Sequence, residues 1–129
     1  MFELSLPGTE KSYWVLVVGI GEGAHCGGAG TQYFIGDFDG ETFTNLNSPE
    51  KVLWLEFGRD YYATQSFSDI PAEDGRRIVS TWMSNHQYSL ELPTEAFRSS
   101  MRCLESYSFS RALTDCVLVS GLQKNLPRR

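Results

Sequence analysis

No stretch of Lys and Arg stands out in this sequence: 16 acidic residues against 11 basic ones leave a net charge of −5 over 129 residues. Such a chain has no basic track for a phosphate backbone, so nucleic acid is not an expected partner. Long apolar runs are missing too. The longest, Tyr13 to Ile20, falls far short of the roughly 20 residues a helix needs to cross a bilayer, and no membrane span is expected. Met1-Phe2-Glu3-Leu4 has neither the basic start nor the apolar stretch of an export signal, which leaves the cellular location open. Cysteine is sparse: Cys26, Cys103 and Cys116 cannot all pair with one another. Their spacing fits neither a zinc ribbon nor a thioredoxin motif, so they read as free thiols. With only two histidines, a metal site of His25, Cys26 and His86 has no cluster behind it. Neither metal nor cofactor is expected.

What is present is a succession of β-branched and aromatic runs divided by Gly, Pro, Asn and Asp, the pattern of short strands in an all-β protein. The first strand is expected over about Tyr13 to Ile20. Gly21 to Gly30, with five glycines, reads as a flexible loop. A second strand follows from Thr31 to Phe38, a two-residue hairpin turn at Asp39-Gly40, and a return strand over Thr42 to Thr44. Further strands are expected at Val52 to Glu56, Tyr61 to Phe67 and Arg77 to Met83, with Pro71 and Asp74-Gly75 turning between the last two. The tail offers strands near Met101 to Phe109 and Cys116 to Leu122, then ends in the basic Pro127-Arg128-Arg129. Antiparallel strands at this spacing fit a sandwich, a barrel or a propeller, and periodicity does not choose among them.

Three blocks narrow the choice: Gly27-Gly28-Ala29-Gly30-Thr31-Gln32-Tyr33-Phe34-Ile35-Gly36-Asp37-Phe38-Asp39-Gly40, Phe57-Gly58-Arg59-Asp60-Tyr61-Tyr62-Ala63-Thr64-Gln65-Ser66-Phe67, and Arg76-Arg77-Ile78-Val79-Ser80-Thr81-Trp82-Met83-Ser84-Asn85. In that order they resemble the later blades of glycoside hydrolase family 32, the invertases, levanases and exo-inulinases. The resemblance covers about Phe2 to Arg102 and leaves 103–129 as a divergent tail. It implies a partial five-bladed β-propeller of about two blades, taken from the C-terminal part of the catalytic propeller. It also implies descent from enzymes that release terminal β-fructose from sucrose or fructan with retention, using two carboxylates about 5 Å apart. In the family these carboxylates, with a stabilising aspartate, lie in Asn-Asp-Pro-Asn-Gly, Arg-Asp-Pro and Glu-Cys motifs, and none of the three occurs here. Arg59-Asp60 is followed by Tyr61, not proline. Met1-Phe2-Glu3-Leu4 is similar to the residues that follow the family's Glu-Cys segment, so the catalytic glutamate is expected just upstream. Three readings follow: an inactive fragment, a fructan-binding module, or one part of a split hydrolase completed by another propeller fragment; the isolated chain, with apolar sheet faces and edges uncovered, is expected to self-associate.

By family position, Glu56, Arg59 and Asp60 are the candidates for contacts to a fructose-containing saccharide; Glu56 stands where aspartate is usual. The alternative for Arg59 and Asp60 is a simple ion pair. Trp82 reads first as a core residue and second as a stacking platform. His86 occupies a place where the family often has another tryptophan, and no partner nearby in sequence marks it as a catalytic base. Asp39 and Asp74 each precede a glycine at a turn, and with Asp37 they read as structural. The glycines of 27–30 are no phosphate cradle, because a strand and not a helix follows them. Tyr33, Phe34, Phe38, Tyr61, Tyr62 and Phe67 are expected to fill space between blades, with strand alternation leaving some of them facing solvent.

Overall fold

A computed structural model describes residues 1–102, 105–111 and 116–122. These residues form antiparallel strands and a 3-10 turn at Ser89–Glu91. The first sheet contains β1 (Phe2–Ser5), β2 (Ser12–Ile20), β3 (Gly30–Phe38) and β4 (Phe43–Asn45), side by side in chain order. Strand register explains its core. Phe2 sits opposite Val15, Val15 opposite Ile35 and Val17 opposite Tyr33, so these side chains share one face. Phe2, Leu6, Val15, Tyr33 and Ile35 are buried there, with Leu4, Tyr13, Val17, Leu53 and Leu55 packed around them. On the other face Trp14 meets Phe38 edge-on at 5.3 Å between ring centres.

Two expectations change in this sheet. The turn after β3 has four residues, not two, since Phe38 pairs with Phe43. Asp39 holds it: its Oδ1 accepts the N–H groups of Glu41 at 2.9 Å and Thr42 at 2.7 Å, while Gly40 alone in the turn takes a positive φ, of 104°. A side chain that can satisfy two backbone donors favours this wider turn over the tight hairpin. Those N–H groups, Thr42 first, hold the Asp39 carboxyl below its ordinary range. Val52 to Glu56 is not a strand. Its contact with β3 is one bridge, Gln32 to Trp54, flanked by Tyr33 N–H to Leu53 O and Leu55 N–H to Thr31 O, each 3.0 Å. The reason is occupancy of the edge, because β4 already covers Gly36 to Phe38. The chain detours through 46–51 and rejoins β3 only at its free N-terminal half. Phe2–Ser5, unforeseen, pairs along β2.

The second sheet contains β5 (Tyr62–Ser66), β6 (Arg77–Met83), β7 (Ser100–Met101), β8 (Glu105–Arg111) and β9 (Cys116–Leu122). Its order is β5-β6-β8-β9, with β7 pairing farther along β6. Arg77 to Met83 and Cys116 to Leu122 fall where the apolar pattern placed them. Strand β5 carries a bulge: Tyr62 faces Trp82 but Gln65 faces Ser80, which inserts one residue, and Ala63 adopts φ 53° to absorb it. Asp74 receives Arg76 at the turn before β6, and that contact lowers its carboxyl. Of the expected packing aromatics, Tyr33 and Tyr61 are buried, Phe34, Phe38 and Tyr62 are half-buried, and Phe67 is exposed. The Pro127-Arg128-Arg129 end and Cys103 lie outside the described residues.

The two sheets meet where β5 approaches β2 and β3. Thr31 donates to Tyr61 O at 3.2 Å, and Thr81 donates to Tyr62 O at 2.8 Å. Thr64, between them, lies 3.2 Å from each hydroxyl. Tyr61 and Tyr107 share a buried hydroxyl contact of 2.5 Å, and the Arg77 guanidinium lies over the Phe2 ring at 4.9 Å. Gly36 marks the tightest point of the first sheet: a Cβ there would stand 2.3 Å from Thr44 O and 2.5 Å from the Phe43 ring. Gly36→Ala is therefore expected to cost about 1–3 kcal/mol, read as a lower denaturant midpoint.

Candidate functional site

The end of β2, the starts of β3 and β5 and the end of β6 lie at one end of the two sheets. The segments that emerge there are 24–29, 56–61 and 84–88. Glu56 is fixed from two sides: Oε1 accepts the Phe57 N–H at 2.8 Å, and Oε2 pairs with Arg102 Nη1 at 2.7 Å. Partial burial pushes this carboxyl up, but the Phe57 N–H, Arg102 and the Gly58 N–H outweigh it and leave Glu56 below its ordinary range. Arg102 also lies over the Tyr61 ring, 5.2 Å from its centre.

Arg59 and Asp60 do not form the ion pair that sequence allows. Arg59 Nη2 donates instead to Gln87 Oε1, and its guanidinium rests 5.5 Å from the Tyr88 ring centre. The planar cation finds both an acceptor and an aromatic face on one turn, which a bond to its chain neighbour cannot offer. Asp60 is half-buried, and its Oδ1 is sealed from solvent without a hydrogen-bond partner among the described residues.

Trp82 is not enclosed in the core. It is half-buried, its Nε1 donates to Ser99 Oγ at 2.5 Å, and it forms an open aromatic corner with Tyr62 and His86. The register that places Tyr62 opposite Trp82 brings their rings to 6.5 Å. The exposed His86 closes the corner at 5.0 Å from Trp82 and 5.2 Å from Tyr62. With two rings as neighbours, His86 has no carboxylate among the described residues set to orient it as a base.

His25, Cys26 and His86 are not brought together. His25 packs edge-on against Phe57 at 5.5 Å, and the exposed Cys26 thiol donates to Phe57 O at 2.6 Å. No group of three His, Cys, Asp or Glu side chains among the described residues is placed to hold a metal ion. Asn85, missed in the sequence, joins the segments: it is fully buried and bonds to 27, 29, 59 and 87. A single buried amide has no sequence signature, and the only hint was its place where β6 turns polar.

A carboxylate held down by partners in the fold contributes stability that is complete above its unfolded pKa, near 4.5. That stability is lost as pH falls through the lower folded value. Because Glu56 and Arg102 are about a third exposed, screening limits the effect to about 1 kcal/mol or less. Glu56→Gln is therefore expected to lower stability slightly at neutral pH and to flatten the acid limb below pH ~4.5, as followed in thermal melts against pH.

The chain matches the family model described as the glycosyl hydrolases family 32 N-terminal domain over residues 1–115. It is 52% identical over 100 residues to a levanase of Bacillus subtilis, covering 77% of this chain and 15% of the relative. To invertase 2 of Saccharomyces cerevisiae it is 39% identical over 100 residues, covering 78% of this chain and 18% of that one. An exo-inulinase of Aspergillus awamori superposes with a TM-score of 0.86 at 29% identity, covering 95% of this chain and 25% of the solved one. A fructofuranosidase of Schwanniomyces occidentalis, complexed with fructose, gives 0.84 at 32% identity over 94% and 24%. The chain thus spans less than a fifth of these curated relatives, and its two sheets are part of a β-propeller. With the model matched along most of its length, the chain belongs to glycoside hydrolase family 32.

Proposed function

We propose that these residues supply later, C-terminal blades of a propeller that releases β-fructose from sucrose or fructan, and that alone they bind saccharide without cleaving it. What supports the β-fructosidase part of the reading is the family match through residues 1–115, to the family's N-terminal domain; the placement among later blades rests on the order of the three sequence blocks. Retaining cleavage needs one carboxylate to attack the anomeric carbon and a second, protonated one to serve the leaving oxygen. Glu56 suits neither role: it is kept ionised beside Arg102, and both its oxygens are engaged. In this reading residues 2–102 form the blades and 103–129 a divergent tail.

A specific feature supports the binding part. Sugar rings present apolar faces that rest on aromatic side chains, and Tyr62, Trp82 and His86 form an open corner of three rings. Arg59 and Asp60 stand at the same end of the sheets, where a guanidinium and a carboxylate can hold hydroxyl groups. The purified chain is expected to release no reducing sugar from sucrose, inulin or levan. It should bind a fructose oligosaccharide weakly, and Trp82→Ala should weaken that binding roughly tenfold, about 1.4 kcal/mol, by calorimetric titration. Fructose release that disappears on changing one of the chain's own acidic residues would refute the reading.

Blades bury their faces on neighbouring blades. Here Phe57, Leu90, Phe97 and Met101 stand at least 60% exposed. Light scattering is expected to show self-association, and a monodisperse, cooperatively folding monomer would contradict that expectation.

A further inference from the structure

Asn85 combines full burial with the densest set of side-chain hydrogen bonds in the described chain. Its Oδ1 accepts from Ala29 N at 3.4 Å and Gln87 N at 3.2 Å. Its Nδ2 faces three carbonyl oxygens: Arg59 at 2.9 Å, Ala29 at 3.2 Å and Gly27 at 3.4 Å. Only an amide offers both an acceptor and two donors at this length. Asp cannot donate to the carbonyls, and an apolar residue leaves every one of these backbone groups without its partner. The bonds reach residues of three different segments that emerge at the same end of the sheets.

Two further observations give the amide a direction. Gly28 is fitted to it: φ is +68°, and a Cβ there would lie 2.3 Å from Asn85 Oδ1, so neither the backbone nor the space admits a side chain. The main chain of Asn85 also sets the turn after β6, its carbonyl accepting Tyr88 N–H at 3.2 Å and Ser89 N–H at 2.9 Å. That turn projects the next two residues outward: His86 onto Trp82 and Tyr62, and Gln87 onto Arg59.

We propose that Asn85 is a positioning residue, which locks segments 27–29 and 59–60 to the Tyr62–Trp82–His86 corner so that a saccharide meets one preassembled surface. This rests on the saccharide-binding reading of that end of the sheets. It touches no ligand; it acts by removing the freedom of three segments before binding, which would otherwise subtract from affinity.

The test uses the whole 129-residue chain as wild type, Asn85→Asp and Gly28→Ala. Amide hydrogen exchange and titration with a β-linked fructose trisaccharide are both measured where Val15 and Ile35 amides show the first sheet intact. Asn85→Asp keeps the acceptor for Ala29 and Gln87 but presents a carboxylate oxygen to three carbonyls. Exchange in 24–29 and 59–60 is expected to rise at least tenfold without change at Val15 and Ile35, and trisaccharide affinity to fall at least tenfold. Gly28→Ala, which pushes on the amide from the opposite side, should reproduce both effects and keeps the test open if Asn85→Asp does not fold. Affinity equal to wild type in a folded variant overturns the proposal, as does exchange that rises equally in the first sheet. Wild type that binds no trisaccharide sinks the saccharide reading instead, and loop-confined exchange then still upholds the clamp while uniform exchange overturns it.

Discussion

Strand β3 runs inside the first sheet, so the backbone groups on both its edges need partners, and how they find them arranges much of the remaining chain. One edge is taken by β2 along seven paired positions. The other is shared: β4 covers Gly36 to Phe38, and Leu53 to Leu55 return to cover Thr31 to Tyr33. That return delivers Glu56, Phe57 and Arg59 to the start of β3, beside the glycine-rich loop that precedes it. The charged side of the candidate site is thus placed by an accounting of main-chain hydrogen bonds.

The aromatic side is placed by the second sheet. Tyr62 and Trp82 meet because they are register partners, and His86 joins them because the chain turns sharply after β6. The two sides are bound by Arg59 to Gln87 and by the buried amide of Asn85 to Arg59 O. Glu56 is stabilised as an anion by this framework and by Arg102. It therefore stays ionised in its pair with Arg102, with no capacity to deliver a proton near neutral pH.

The strands with strict alternation were legible. Tyr13 to Ile20, Thr31 to Phe38 and Arg77 to Met83 carry period-two burial and lie within a residue of their expected bounds. Failures came where a non-local claim decided the outcome. Val52 to Glu56 has strand-like residues, but β4 had taken half of its edge. Asp39-Gly40 has the composition of a tight turn, but the Asp39 carboxylate bonds two residues further on. The Gly21 to Gly30 loop read as slack, whereas Gly28 is there for the close approach of a side chain 57 residues away in sequence. At the site, Trp82 reads first as a core residue, but in β6 it alternates with the buried Val79 and Thr81 and so lies on the other face, half open. Asn85 depends entirely on tertiary contacts and left no trace in composition.

The threonines between the sheets carry one more implication. Thr31 and Thr81 each spend their single proton on a main-chain carbonyl, of Tyr61 and Tyr62 respectively. Thr64, midway at 3.2 Å from both oxygens, has one proton for two acceptors. Only one of its two contacts carries a hydrogen at any instant, so the seam between the sheets holds a two-position rotor. Whichever way it points, one neighbouring hydroxyl goes without its hydrogen, so the junction's chain of three hydroxyls is short by one proton.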